Sequence, residues 1–190
     1  MQRKKNENVT RYTLHVTRNN MNLSKLSIGK NPPEEVNVLI EIPEGSLVKY
    51  ELDKESGFIM ADRFVYTAMA YPFNYGFIPH THGQDGDPVD VMVICSQILN
   101  IATVIPARVI GMLEMEDEAG IDTKIIAVPT AKVDPFSAHL KDMADVDEAT
   151  KKKIKHFFDH MKELEPGKWV KTRNFLGKDK AFEEIKKALK

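Results

Sequence analysis

The chain has 190 residues, of which 42% are hydrophobic, and 27 basic against 28 acidic side chains give it a formal net charge of -1. This length and composition suit one domain with its own core, while the balanced charge excludes the overall basic field that attracts nucleic acid or acidic membranes. No stretch approaches the roughly 20 apolar residues of a membrane-spanning helix. We therefore expect no nucleic acid and no membrane among its partners.

The N-terminal segment is polar and basic, and it lacks the apolar stretch and the small-residue cleavage site of a secretory signal. We expect residues 1–24 to be a loosely attached, flexible extension and residues 25–190 to form a single domain. A basic, acid-poor segment also fits an organelle-targeting peptide, which is the alternative. The single Cys95 cannot form an intrachain disulfide, and this favours a reducing, cytoplasmic setting.

The first two thirds of the domain contain β-rich segments separated by turn residues. Two of them, 36–42 and 47–52, flank a turn at residues 43–46 and are predicted to form a β-hairpin. Short connections without a regular alternation of strands and helices favour a small antiparallel barrel. Further strands are predicted at residues 58–66, 89–95, 103–115 and 124–128.

The last third changes character near Asp145, which together with Glu148 resembles a helix N-cap and the glutamate of a capping box. Apolar residues then recur at three- and four-residue steps, which predicts an amphipathic helix that ends at Pro166-Gly167. They are Ile154, Phe157, Phe158, Met161 and Leu164. A short strand at residues 169–170 and a helix over 179–190 follow. The predicted fold class is α+β, mainly β: a five-stranded OB-like antiparallel barrel with flanking α-helices.

The most informative segment is Asp85-Gly86-Asp87-Pro88-Val89-Asp90, which places three carboxylates within six residues. Two like charges about 4 Å apart repel by roughly 4 kcal/mol at an effective dielectric of 20, so such a cluster needs water or cations around it. Oxygen ligands without Cys or an adjacent His favour Mg²⁺, Mn²⁺ or Ca²⁺ over Zn²⁺. An acidic surface turn has the same composition and is the alternative interpretation.

Two specialised interpretations of this segment fail. An EF-hand needs a ligand and a glycine at its fifth and sixth positions, which Val89 and Asp90 hold. The Asp-x-Asp-x-Val pattern of haloacid dehalogenase type phosphatases is formally present, but Asp85 does not follow the buried strand that carries the nucleophile in those enzymes.

A second acidic group follows the long predicted strand, and a lysine comes two residues after its last member. An acid and a base two residues apart in an extended segment share a face and can hold a metal with the phosphate it carries, although the same spacing is also typical of a surface ion pair. The group consists of Glu114, Glu116, Asp117, Glu118 and Asp122, with Lys124 as the base.

With both acidic groups, the chain resembles the soluble family I inorganic pyrophosphatases of bacteria, from about residue 36 to residue 170. The matching segments are residues 40–43, 49–51, 53–57, 62–63, 71–76, 85–91 and 117–120, with Asp122, Lys124 and residues 167–170.

The resemblance implies a hydrolase that splits inorganic pyrophosphate into two phosphates by direct attack of a metal-activated water. It implies Mg²⁺ as the cofactor, with Mn²⁺ or another divalent ion as a substitute. Because Ca²⁺ is larger, we expect it to inhibit by replacing Mg²⁺. The resemblance also implies a homo-oligomer, commonly a hexamer.

The resemblance further assigns roles to individual residues. The implied metal ligands are Asp85, Asp90, Asp122 and Asp117, with Glu41 and Glu51 as outer partners of the metal cluster. The implied general base is Asp87. The implied clamp around the phosphates consists of Lys49, Arg63, Tyr75, Lys124 and Lys162.

The chain departs from the family at Met161, where the family usually has Tyr. Methionine can fill a similar volume but lacks a hydroxyl that donates to phosphate, so we expect weaker phosphate binding with turnover retained. Two other functions stay open at this point: a Mg²⁺-dependent phosphatase acting on an organic phosphate, and a noncatalytic OB-like barrel that binds nucleic acid.

Overall fold

The structure is a computed structural model that describes residues 23–83, 86–118 and 120–189. Most of the predicted N-terminal extension lies outside these ranges, as does the predicted metal ligand Asp85. The strands are β1 Glu35–Ile42, β2 Val48–Leu52, β3 Ile59–Phe64, β4 Asn74–Phe77, β5 Asp90–Val93, β6 Val104–Asp117, β7 Gly120–Ile121, β8 Lys124–Pro129 and β9 Val170–Gly177. The α-helices are α1 Glu148–His160 and α2 Lys178–Ala188.

Five strands form a closed ring, in which they pair in the order β1, β4, β5, β8, β6 and back to β1. The predicted mainly β, OB-like fold with flanking helices is confirmed, and the structure refines one point of it. The pairing of β5 with β8 is parallel, so the ring is mixed rather than wholly antiparallel. β9 and the short β7 extend the sheet from β6.

The predicted hairpin between the first two strands is wrong. β1 already pairs with β4 on one edge and with β6 on the other, so it has no edge left for β2. β2 pairs instead with β3 to form a separate two-stranded sheet. The turn at residues 43–46 reverses the chain without pairing the strands that it connects.

β4 was not predicted as a strand, although all four of its residues are buried. It packs so closely on β1 that a Cβ atom on Gly76 would lie 1.9 Å from the carbonyl oxygen of Leu39. Only glycine allows this approach of the two backbones. The close packing brings Tyr75 of β4 beside the end of β1.

The first helix begins later than predicted. Its N-cap is Asp147, whose carboxylate accepts a hydrogen bond from the Thr150 N–H at 2.8 Å. Asp145 belongs to a preceding 3₁₀ turn, where it forms a capping box with Asp142. The helix ends at His160 instead of reaching Pro166, and the short strand predicted after it extends to Gly177.

Both helices cover the ring with their apolar faces. α1 buries Ile154, Phe157 and Phe158 in the core cluster that contains Tyr75, while α2 buries Ala181 and Ile185 against the other side. In the part of the chain that the structure describes, no helix has the length and apolar character needed to cross a bilayer.

Candidate active site

A cavity of about 990 Å³ lies between the ring, the β2–β3 sheet and the segment that follows α1. Eleven of the twelve residues that the sequence singled out line this cavity, while the twelfth, Asp85, lies outside the described residues. The eleven are Glu41, Lys49, Glu51, Arg63, Tyr75, Asp87, Asp90, Asp117, Asp122, Lys124 and Lys162. The fold thus brings them together, and their individual roles stay predictions.

The parallel pairing of β5 and β8 creates the centre of the site. Asp90 is the first residue of β5 and Lys124 is the first residue of β8, and the register pairs the next residue of each strand. Because parallel strands begin at the same edge of a sheet, the two side chains lie together. The Lys124 Nζ atom is 2.5 Å from an Asp90 oxygen and also contacts the Asp122 carboxylate.

Lys124 is buried, with 6% of its side chain exposed. Burial alone would lower its pKa, but the carboxylates of Asp90 and Asp122 outweigh that effect and hold the pKa above its usual range. The ammonium group is therefore charged at neutral pH.

Lysines also meet carboxylates elsewhere in the cavity. Lys162, two residues past the end of α1, places its Nζ atom 2.7 Å from an Asp117 oxygen at the end of β6. Lys49 contacts Glu51 on the same face of β2, and it lies 3.3 Å from Asp62 of β3. Lysine side chains that line the cavity are therefore paired with carboxylates.

Three residues that contact the predicted site residues were not singled out from the sequence, namely Lys54, Asp62 and Glu165. Lys54, which lies in the turn between β2 and β3, donates a hydrogen bond to the Asp87 carboxylate at 2.8 Å. Arg63 lies between the carboxylates of Asp62 and Glu165. Lys54 and Asp62 lie in sequence segments that match the family and could have been identified from that match. No sequence pattern pointed to Glu165.

Glu41, near the end of β1, is 9% exposed, and one of its carboxylate oxygens accepts a hydrogen bond from the Leu52 N–H at 2.7 Å. Burial raises its pKa to about 7, and the nearby Asp90 and Glu51 carboxylates add to this shift. Burial also raises the pKa of Tyr75 well above its usual range, so that its phenol keeps its proton and can donate to an anion.

Glu41 should make the stability of the metal-free protein depend on pH. Its carboxyl pKa is about 7 in the folded state and 4.5 in the unfolded chain, so the folded state retains a proton between these values. The free energy of unfolding then falls as the pH rises from about 4.5 to about 7, by up to about 3 kcal/mol. Urea unfolding in the presence of a chelator measures this slope.

The matched variant is Glu41→Gln, which keeps an oxygen acceptor for Leu52 but does not titrate. We expect it to lose that part of the pH dependence, whereas Glu34→Gln, at an exposed position just before β1, retains it. Equal slopes for the original protein and for Glu41→Gln would contradict the assignment.

The donor atoms of the cavity suit hard divalent cations. Nine acidic side chains line it against five lysines and arginines, all of them described residues, and carboxylate oxygens are the ligands that Mg²⁺ and Ca²⁺ prefer. Within the described ranges, no three Asp, Glu, His or Cys side chains already converge as a metal site. Lysine ammonium groups lie between the central carboxylates and compensate their charge.

Comparison with known proteins identifies close relatives. The family model described as inorganic pyrophosphatase matches residues 38–190. The inorganic pyrophosphatase of Aquifex pyrophilus is 57% identical over 169 residues, which are 89% of this chain and 96% of that protein. The inorganic pyrophosphatase of Helicobacter pylori is 48% identical over 170 residues, which are 90% of this chain and 98% of that protein.

Solved structures of inorganic pyrophosphatases are also similar to this chain in fold. The crystal structure of inorganic pyrophosphatase from Thermus thermophilus superposes with a TM-score of 0.85 at 42% identity, covering 88% of this chain and 97% of that one. The structure of the Helicobacter pylori enzyme gives a TM-score of 0.84 at 47% identity, covering 87% of this chain and 96% of that one.

Proposed function

Because this chain belongs to the inorganic pyrophosphatase family, we infer that it is a hydrolase that splits inorganic pyrophosphate into two phosphates in the cavity described above. The observation that carries this conclusion is the arrangement of acids and cations around one cavity, in a chain that matches pyrophosphatases over most of its length. The phosphatase of an organic phosphate and the noncatalytic nucleic-acid-binding barrel are set aside by family membership.

Recognition of pyrophosphate depends on fixed positive charge, since the substrate is a small polyanion with no ring or sugar. Arg63 can grip two phosphate oxygens at once, whereas lysines act as point charges. We assign this clamp to Arg63 and Tyr75 together with the lysines 49, 124 and 162. Tyr75 contributes a neutral hydroxyl donor.

The carboxylates of Asp90, Asp117 and Asp122 would hold divalent cations, with Asp85 as a further ligand and with Glu41 and Glu51 as outer partners. When bound, such ions neutralise phosphate oxygens and make water more acidic. Oxygen ligands favour Mg²⁺, with Mn²⁺ as a substitute and with the larger Ca²⁺ as an inhibitor.

Asp87 acts as the general base. Its carboxylate lies at the cavity wall, with 72% of its side chain exposed, and can take a proton from an entering water. The water oxygen then bonds to phosphorus in line with the departing phosphate, and the bond to the bridging oxygen breaks. No covalent intermediate with the chain is needed.

The direct test is phosphate release from pyrophosphate in the presence of Mg²⁺, with ATP as the control substrate and a chelator as the control condition. We expect fast, metal-dependent release from pyrophosphate and little from ATP. Release from ATP at a comparable rate, or no dependence on a divalent ion, would contradict the proposal.

Met161 gives a second prediction. It lines the cavity next to Lys162, and its side chain packs in the same cluster as Phe158. Met161→Tyr adds a hydroxyl that can donate to phosphate, so we expect KM for pyrophosphate to fall about fivefold, as for one net hydrogen bond of about 1 kcal/mol. Met161→Phe adds the ring without the hydroxyl and should leave KM unchanged. An unchanged KM in Met161→Tyr would refute this account.

We propose that residues 25–190 are one catalytic domain, which a family match over residues 38–190 supports, and that the protein works in the cytoplasm. We also propose a homohexamer. Large apolar side chains on and beside the β2–β3 sheet support association, since Phe64 is 70% exposed and Phe58 is 59% exposed. Sedimentation analysis should give sixfold the chain mass, and a monomer would exclude the proposal.

A further inference from the structure

Arg63 lies between two carboxylates that approach different atoms of its guanidinium group. Its Nη1 atom is 2.9 Å from an oxygen of Asp62, and its Nε atom is 3.4 Å from an oxygen of Glu165. The Glu165 side chain is only 10% exposed, compared with 30% for Arg63. A carboxylate this buried is held against the arginine rather than swinging in solvent.

Glu165 also belongs to the turn that carries Lys162. Its backbone N–H donates to the Lys162 carbonyl at 2.9 Å, and its own carbonyl accepts from the Lys168 N–H at 3.1 Å. One residue is therefore hydrogen-bonded through its backbone to the segment of one phosphate-clamp cation and ion-paired through its side chain with another. Arg63 and Lys162 come from distant elements, β3 and the segment after α1.

We propose that Glu165 is a positioning residue for pyrophosphate binding, which fixes the plane of the Arg63 guanidinium and its place relative to Lys162. The proposal rests on the phosphate-clamp role assigned to Arg63 above. An arginine that grips two phosphate oxygens needs a defined plane, because both N–H bonds must point correctly at once. The contact at Nε restricts rotation of the group without using the far end of the guanidinium.

The direction of the change in KM distinguishes a positioning role of Glu165 from a purely electrostatic one. If Glu165 acted only through its negative charge, Glu165→Gln would remove repulsion toward the substrate anion and lower KM. If Glu165 orients Arg63, the same change loosens the guanidinium and raises KM. The two explanations thus predict opposite results from one substitution of equal size.

The experiment compares Glu165→Gln, Arg63→Met and the double variant in a thermodynamic cycle. The readouts are KM and kcat for pyrophosphate with Mg²⁺ and the dissociation constant of inorganic phosphate by calorimetry, which does not require turnover. Glu163→Gln is the matched control, since Glu163 lies in the same turn but is 51% exposed and contacts His160 instead. Thermal unfolding verifies that each variant is folded.

We expect Glu165→Gln to raise KM and the phosphate dissociation constant about fivefold when Arg63 is present, and to change either by less than about twofold in the Arg63→Met background. Glu163→Gln should change neither. A lower KM, an additive double variant, or an equal effect of Glu163→Gln would overturn the inference. If the unsubstituted protein releases no phosphate, the proposed function itself fails, which is a separate result.

Discussion

Replacing Asp87 by Asn is expected to lower kcat for pyrophosphate hydrolysis by roughly 10³-fold, within the 10²–10⁴-fold range of general base catalysis. Asparagine matches aspartate in size, but its amide does not accept a proton from water. Asp87 lies at the cavity wall, and its contact with Lys54 joins the β2–β3 turn to the acidic loop. The measurement is steady-state phosphate release at saturating Mg²⁺ and pyrophosphate.

Asp179→Asn is the control for this change, because Asp179 is exposed in the first turn of α2 and does not line the cavity. It should retain full activity. A fall in kcat of less than about tenfold in Asp87→Asn would be too small for a general base, and the role would pass to another group.

Replacing Lys124 by Met is expected to destabilise the metal-free protein by about 3 kcal/mol, the lower end of the range for breaking a buried ion pair. The lower end applies because the partners Asp90 and Asp122 keep 33% and 23% of their side chains exposed. Methionine fills most of the lysine volume but leaves both carboxylates without their cation. Urea unfolding in a chelator measures the difference.

Lys187→Met provides the surface reference. Lys187 pairs with Glu184, and its own side chain is 68% exposed, so its loss should change the free energy of unfolding by no more than about 0.5 kcal/mol. Mg²⁺ should stabilise Lys124→Met, since an ion that binds only the folded state raises its stability. Equal stabilities of the two variants in chelator would mean that Lys124 does not compensate the central acids.

Local sequence patterns were sufficient for most strands but not for their pairing. Turn residues at 43–46 indicate that the chain reverses, yet they carry no information on which edge of β1 is available. Both edges are taken by distant segments, as the pairing of Leu39 with Phe77 and with Val104 shows. The tight contact at Gly76 is equally invisible in a single sequence, because it depends on the neighbouring backbone.

The candidate site was predictable where its charged residues lie close together in the sequence. The carboxylates of residues 85–90 and the pair Asp122 and Lys124 are close in sequence, so their spacing already indicates cation and phosphate chemistry. The contact between Asp90 and Lys124 was not predictable, because it depends on the parallel start of two strands. The Arg63 and Glu165 contact likewise arises only when the segment after α1 folds back on β3.

The long strand β6 also determines when this site can exist. It pairs with β1 and β9, which both lie far from it in the chain, and such pairings require loop entropy to be lost before the contacts compensate it. The ring should therefore form late and as one cooperative unit. Every predicted site residue precedes Val170, where β9 begins, so a nascent chain that ends there contains all of the chemistry but lacks a strand that β6 pairs with. Competence for catalysis should appear only when the last strand has left the ribosome.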